Sequence, residues 1–316
     1  MPEPLAARLR RRARLLACIR AFFAERQVLE VDTPLLTRGP ATDPHLASLQ
    51  LQSAATGRRE WLITSPESGL KQLLAAGSGD VYQLGHVFRS DEAGRWHAPE
   101  FCMLEWYRCG WDTDALMTEI EALIAAAAGA PFRARRISYG ALFQRHAGLD
   151  IFSASRAELR SFAIAQGLYS DSDAADGAAD IDFWRDLILS THIQPRLTDE
   201  PGVFVTGFPA SQASLTRVDP DDPRLAQRFE LYWRGVELAN GGQEATRAAA
   251  VRARMASDNN RRAALGLTRL PEDEALLDAL ESGLPACAGV ALGVDRLLAL
   301  LAGWRGIAPG LPLGRG

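Results

Sequence analysis

Glu230, Glu237 and Glu244 recur at intervals of seven residues. The stretch that carries them is too rich in strand formers and too broken by glycine for a heptad helix, so the spacing belongs to a strand, a turn and a second strand. Carboxylates so placed, with arginines near them, suit Mg²⁺ on a triphosphate while the guanidinium groups clamp phosphate oxygens. Arg89 and Arg296 are the candidate arginines. Arg89 is expected on a strand, opposite another that bears Glu105 and Tyr107. Alternation puts Met103, Glu105 and Tyr107 on one face of that second strand and Cys102, Leu104 and Trp106 on the other. A glutamate and a tyrosine on one face make either a polar pocket or a solvated sheet surface, and the strand alone does not separate the two.

Arg296 lies where a strand of small residues, Gly289-Val-Ala-Leu-Gly293, runs into an apolar helix. Gly289 and Gly293 let a backbone come close to a planar ligand, and an arginine at a helix start can face an anion. Lys71 is the only lysine in the chain. Either an arginine-for-lysine drift left it by chance, or this position, shortly after Ser65, Pro66 and Glu67, needs a compact ammonium that a planar guanidinium does not imitate.

These groups need a scaffold. Apolar Leu9, Leu16, Ile19, Phe22 and Phe23 share one face and predict a helix over residues 5–25, followed by a strand over 28–34 that ends at Pro34. Strands are expected at 61–64 and 81–84, with a helix between them from residue 68. Residues 88–91 and 102–107 predict two arms of an antiparallel hairpin, joined by a polar loop carrying Arg95 and His97. An amphipathic helix is expected over 112–128, then irregular helical chain over 137–195, with an acidic, alanine-rich tract at 170–182 read as a surface insertion. Strand character returns at 203–208 and 228–238, a charged helix at 247–265, and a strand at 290–292 with a helix from 294. Hairpin-joined strands with helices gathered to one side give an α+β fold, an antiparallel sheet flanked by helices, rather than a doubly wound sheet.

Of the 316 residues, 47% are hydrophobic and 23% charged, as in ordinary globular chains. A net charge of −4 and a pI near 5.8 argue against a broad nucleic-acid-binding surface. Cys18, Cys102, Cys109 and Cys287 have no paired metal-ligand spacing and read as reduced thiols. No membrane span is expected, because residues 122–128 are too short a run and the apolar stretch 290–302 carries Asp295 and Arg296. Arg20, Glu25 and Arg26 interrupt any signal-like core near the basic N-terminus, so a cytoplasmic location is expected.

In chain order, the proline-ended strand, the hairpin with its Arg89 and the glycine-punctuated strand with its Arg296 resemble motifs 1, 2 and 3 of the class II aminoacyl-tRNA synthetases. Met103-Leu-Glu-Trp-Tyr-Arg108, Phe208-Pro-Ala-Ser-Gln-Ala-Ser-Leu215 and Gly289-Val-Ala-Leu-Gly-Val-Asp-Arg-Leu297 are similar to the lysine-type branch, and most of all to its short paralogues that modify elongation factor P. The resemblance covers nearly the whole chain. It implies a single class II catalytic domain over residues 1–316 with a helical insertion around 112–200 and no anticodon-binding domain. The motif 1 strand begins too early to leave room for such a domain upstream, so anticodon-dependent tRNA binding is not expected.

The resemblance also implies roles. Arg89 would hold the α-phosphate and the substrate carboxylate, and Arg296 the γ-phosphate, as the catalytic pair. Ser90, Asp91, His97, Ala98 and Phe101 fall in the ATP-binding motif 2 region, where an aromatic stacks on adenine. Glu237, Leu238 and Gly293 complete the nucleotide site, and Glu230 and Glu237 match carboxylates that hold Mg²⁺. Ser65, Pro66, Glu67, Glu105, Tyr107, Glu244 and Ala291 would enclose the amino groups of lysine or β-lysine. The implied reaction uses ATP to activate (R)-β-lysine as an acyl-adenylate and passes it to a lysine side chain of elongation factor P. Alternatives are a truncated lysyl-tRNA synthetase-like enzyme acting on tRNA or a small acceptor, and a non-catalytic synthetase-like binding partner. Retention of Arg89, Glu230, Glu237, Glu244 and Arg296 argues against the last. Motif 1 in this class builds a dimer interface, so a homodimer is expected.

Several positions depart from the family pattern. Asp91 stands where glutamate is usual, so an adenine contact is expected to shorten or pass to Glu92. Ala98 replaces an asparagine, and Gly242 with Gln243 replaces a more typical aromatic–His or aromatic–Ser pair beside Glu244, which is expected to loosen the pocket wall. Ala291 stands where lysyl-tRNA synthetases carry glycine, and its methyl is expected to crowd an α-amino group.

Overall fold

The computed structural model describes residues 3–170 and 180–313. Most of the tract read as a surface insertion lies outside them. The chain divides into two compact units, Met1–Phe132 with Gln243–Gly316, and Arg133–Gly242.

The first unit opens with α1 (Leu5–Glu25), which buries Leu15, Ile19, Phe22 and Phe23. Gln27 then takes a left-handed φ of 57° and turns the chain into β1 (Leu29–Glu30), parallel to a later strand. The expected strand over 28–34 is thus much shorter. Beyond Val31, both the N–H and the hydroxyl of Thr33 donate to Gln83 Oε1, at 2.9 and 2.7 Å, so that N–H leaves the ladder. Pro34 has no donor to give. Next come β2 (Leu36–Thr37), β3 (Gln50–Gln52) and β4 (Arg59–Leu62), a small separate sheet in the order β2-β4-β3. Then follow α2 (Glu67–Ala75), β5 (Val81–Phe88), β6 (Glu100–Cys109) and α3 (Thr113–Ala128), the last capped by Asp112, whose carboxylate accepts from Ala115 N–H at 2.8 Å.

The second unit contains β7 (Arg135–Ser138), α4 (Tyr139–Ala147), α5 (Arg156–Ala165), α6 (Ile181–Ile188), β8 (Val203–Pro209), β9 (Leu225–Trp233) and β10 (Val236–Gln243). Its strands follow the order β10-β9-β8-β7, with β7 parallel to β8 and the other pairs antiparallel. Residues 228–238, expected as one strand, are the facing ends of β9 and β10. Arg234 and Gly235 make the tight turn between them with φ of 52° and 73°. Tyr139, Phe143, Trp184 and Phe208 fill the core of this unit. The chain then returns to the first unit as α7 (Ala248–Ala264), α8 (Glu274–Gly283), β11 (Cys287–Gly293) and α9 (Val294–Ala302).

In the first unit the main strands run β1-β5-β6-β11, and β6 lies between two antiparallel neighbours. Trp106 points to the helical side of β6, where Phe23 meets it edge-on at 5.4 Å and Glu119 of α3 accepts its indole N–H at 3.0 Å. Glu119 and Asp80 in turn hold the buried guanidinium of Arg108, at 3.3 and 2.9 Å. A second buried pair fixes α9. Asp295 accepts from Arg12 of α1 and, through its other oxygen, from the Cys102 N–H of β6 at 2.7 Å. One carboxylate therefore ties α1, β6 and the start of α9 together, and sets where Arg296 emerges.

Asp295→Ala would strand the Arg12 guanidinium in the interior. The expected loss is about 3–5 kcal/mol, read as a lower midpoint in denaturant unfolding; a loss below about 1 kcal/mol would show that the pair behaves like a solvated one.

Candidate active site

The β6–β11 register places Glu105 opposite Ala291 and Tyr107 opposite Gly289. Cross-strand partners share a face, so these four side-chain positions form one patch. That patch is buried, with Glu105 at 3% and Tyr107 at 2% relative exposure, so the polar-pocket reading holds and the solvated-surface reading does not. Tyr107 donates its hydroxyl proton to Glu105 at 2.7 Å. Gly289 makes room for the ring: a Cβ there would lie 2.3 Å from Tyr107 Cε1 and 2.7 Å from Glu244 Oε1.

Glu67, at the start of α2, and Glu244, just past β10, complete the cluster. Lys71 sits between them, one turn along α2, with Nζ 2.6 Å from Glu67 Oε1 and 2.5 Å from Glu244 Oε2. Burial pushes the Glu105 carboxyl up to about 8, and the charge of Glu67 adds to this. Burial likewise raises Glu244 to about 7, although Lys71 pulls the other way. Burial alone would lower the Lys71 ammonium, but Glu244 and then Glu67 outweigh it and hold it above its ordinary value. Three carboxylates sharing one ammonium in a dry pocket are short of positive charge.

Arg89 is not on a strand and does not face Glu105. In the β5–β6 ladder Gln83 stands opposite Glu105 and Val81 opposite Tyr107. The expected strands at 81–84 and 88–91 are instead a single β5, which ends at Phe88, and Arg89 opens the loop beyond. Its guanidinium lies over Phe101 with 5.2 Å to the ring centroid and donates to Thr64 O at 3.3 Å and Glu92 Oε1 at 3.0 Å. Arg296, in the first turn of α9, donates from Nε to Trp96 O of the same loop at 3.1 Å. His97 bridges back to Gly94 within that loop and approaches Glu92 at 3.9 Å, while Asp91 accepts from the Ser90 hydroxyl at 2.9 Å. Ala98 lies in the same loop, and Gly293 takes the N-cap position of α9, three residues before Arg296. Two guanidinium groups tied to one loop, one of them at a helix N-terminus, can hold an anion of several charges.

In the second unit, Glu230 is buried in β9. It takes a guanidinium N–H from Arg228, the Tyr232 hydroxyl at 2.5 Å and the Asn240 amide at 3.3 Å. Gln212, in the segment after β8, holds Arg228 through its carbonyl at 2.7 Å. Burial raises the Glu230 carboxyl to about 7; Arg228 lowers it, and the charge of Glu237 raises it again. Glu237 stands opposite Tyr232, next to an irregularity in the ladder, with Leu238 buried after it. Two carboxylates close enough to repel are hard donors that fit Mg²⁺. No group of three or more potential metal ligands occurs among the described residues, and Mg²⁺ completed by substrate phosphates needs none.

Residues 2–310 match the family model described as tRNA synthetases class II (D, K and N). The chain belongs to the class II tRNA synthetase family. Curated relatives named elongation factor P–(R)-β-lysine ligase include one from Edwardsiella ictaluri, 46% identical over 95% of this chain and 92% of that one. The protein of that name from Vibrio cholerae is 46% identical over 96% and 94%, and one from Salmonella paratyphi B is 43% identical over 97% and 94%. An α+β fold with a largely antiparallel sheet is what the class II family requires, and the sequence pattern anticipated it.

Several residues that shape the site were not singled out as such. In the sequence Asp295 reads only as a charge in an apolar stretch, and its partner Arg12 as one of several basic residues on α1. Ser65 and Pro66 lead into α2, where Pro66 takes the N-cap position. The departure at Gly242 does not open a gap, because a Cβ there would meet Gln227 O at 2.4 Å and Thr216 Cγ2 at 2.6 Å. Gln243 is likewise fixed, its amide donating to Cys287 O at 2.9 Å.

The raised carboxyls give a pH test. Glu105 and Glu244 hold protons more tightly folded than unfolded, so their contribution to stability is full below the ordinary carboxylate range and is lost as pH rises towards 7 to 8. A bound ammonium needs them ionised and restores what is lost. The melting-temperature rise given by saturating lysine is therefore expected to be larger at about pH 8 than at about pH 6; a pH-independent rise would contradict the assignment.

Proposed function

We propose that this chain is an ATP-dependent, AMP-forming ligase that activates (R)-β-lysine and transfers it to a lysine side chain of elongation factor P. The observation that carries the reading is the cluster of buried Glu105 and Glu244 with half-buried Glu67, together with the loop-held pair Arg89 and Arg296. A cluster short of positive charge takes the ammonium groups of a lysine-like acid, and an apolar competitor would leave its carboxylates unpaired. The substrate's own carboxylate then lies free to attack.

Attack on the α-phosphorus of ATP forms the carboxylate–phosphorus bond and breaks the bond to pyrophosphate. Such a step needs positioning and charge stabilisation rather than a general base. Arg89 orients the α-phosphate and the attacking carboxylate, and Arg296 holds the γ-phosphate. Phe101 and His97 line the adenine, with Ser90, Asp91 and Ala98 beside them. Asp91 is short and tied to Ser90, and Glu92 is taken up by Arg89, so the adenine contact rests more on stacking. Glu237, Leu238 and Gly293 complete the nucleotide site. Glu230 and Glu237 would hold Mg²⁺, which when bound would neutralise charge on the departing pyrophosphate.

Ser65 and Pro66 would close the substrate pocket. Ala291 faces the Glu105 patch, and we assign its methyl to discrimination between β- and α-amino acids. In this reading the chain works as one catalytic domain in the cytoplasm. Leu5 and Leu9 of α1 and Leu29 of β1 remain exposed, which suits burial in a homodimer through that segment. Among the described residues no helix is long and apolar enough to cross a membrane.

ATP–pyrophosphate exchange with (R)-β-lysine, α-lysine and the other standard amino acids tests the reading. Exchange strongest with β-lysine is expected, and exchange with none of them would remove the enzymatic assignment. In the same assay Ala291→Gly is expected to raise the α-lysine to β-lysine ratio of kcat/KM by about tenfold. An unchanged ratio would show that the methyl has no part in the choice.

A further inference from the structure

Lys71 places its ammonium inside the amine cluster, and the reaction above does not use it. Its side chain is only 1% exposed and its ammonium is held by Glu67 and Glu244. The groups that act on it or on its partners come from every wall: Glu67 from α2, Glu105 and Tyr107 from β6, Glu244 beyond β10, Cys287 from β11, and Arg254 of α7 acting on Glu244. With the three glutamates ionised and Lys71 charged, these four groups together carry two net negative charges, and Arg254 acts on Glu244 from outside them. A diamino acid whose carboxylate is turned to phosphate brings two ammonium groups. The two counts match.

Resting on the amine-pocket reading, we propose that Lys71 is a specificity-determining positioning residue that sets the pocket's charge to suit a substrate with two ammonium groups. Its tether also fixes the separation of Glu67 and Glu244, so each presents its remaining oxygen to the substrate rather than turning away from its neighbour. A guanidinium would not do this as well. It is planar and wider, and it spreads its donors over a fork, where the gap between the two carboxylates admits a single compact nitrogen at 2.5 and 2.6 Å. Among 35 basic side chains of lysine and arginine type, this is the only position that kept lysine.

The charge match is tested by comparing Glu244→Gln with the double variant Glu244→Gln/Lys71→Met in pyrophosphate exchange. Glu244→Gln leaves one net negative charge and is expected to raise KM for the diamino acid about tenfold or more, with KM for ATP within about twofold. Removing Lys71 as well restores two negative charges, and KM for the diamino acid is expected to fall back several-fold. A double variant no better than Glu244→Gln would overturn the proposal. Lys71→Met alone is expected to move the pH dependence of that KM upward, because the carboxylates then keep their protons longer; an unmoved profile in a folded variant would also overturn it. If the variants do not fold, the unaltered protein still decides. Analogues lacking either amino group should each lose about tenfold or more in kcat/KM, and a monoamino acid used as well as the diamino acid would defeat the match. Absence of exchange by the unaltered protein with every diamino acid would instead defeat the underlying functional reading.

Discussion

Burying Glu105 and Glu244 beside a buried lysine, with a partly exposed Glu67 sharing its ammonium, is the constraint on which the pocket of the first unit depends. Carboxylates withdrawn from water are costly unless paired, and here one ammonium serves Glu67 and Glu244 while Glu105 has a tyrosine hydroxyl. The protein tolerates the shortfall by holding protons on groups that would ordinarily be ionised. A ligand bringing ammonium groups would relieve that deficit. Under the proposed function, binding energy and selectivity would then come from the same source, since nothing apolar of similar shape can offer the missing charge.

The scaffold explains why the cluster can exist. Strand β6 turns its aromatic and apolar side to α1 and α3 and its polar side to the pocket, so one strand separates a dry core from a charged site. Gly289 lets the Tyr107 ring lie against β11, and Ala291 brings a small side chain level with Glu105. On the other side of β6, Asp295 reaches Arg12 and the Cys102 N–H and so fixes α9. Arg296 follows one residue later. A buried ion pair therefore decides where the Arg296 guanidinium emerges.

Much of this was legible in the sequence, because periodicity and motif spacing report on local structure. The first helix spans the expected residues, but of the five apolar positions only Ile19, Phe22 and Phe23 are buried, with Leu15 in place of Leu9 and Leu16. Strand β6 shows the alternation of Met103, Glu105 and Tyr107 against Leu104 and Trp106. Strand ends were harder. The ladder stops early after β1 because the Gln83 side chain takes the N–H of Thr33, a partner fifty residues away that no window on the chain reveals. Arg89 looked like a strand residue facing Glu105, yet register places Gln83 there and moves the arginine into the loop. The solitary lysine was visible as an oddity of composition, whereas its place between Glu67 and Glu244 needed the fold. Expected looseness at Gly242 was also a matter of tertiary packing, since Thr216 and Gln227 already occupy that space.

Counting protons would test the central claim most directly. Titration calorimetry of β-lysine into the protein near neutral pH, repeated in buffers of different ionisation enthalpy, measures how many protons the complex gains or loses. The account predicts net release, because Glu105 and Glu244 must ionise to receive the ammonium groups, and Glu105→Gln should reduce that release. Binding with no proton exchange, or with uptake, would contradict the claim that these buried carboxylates are the amine site.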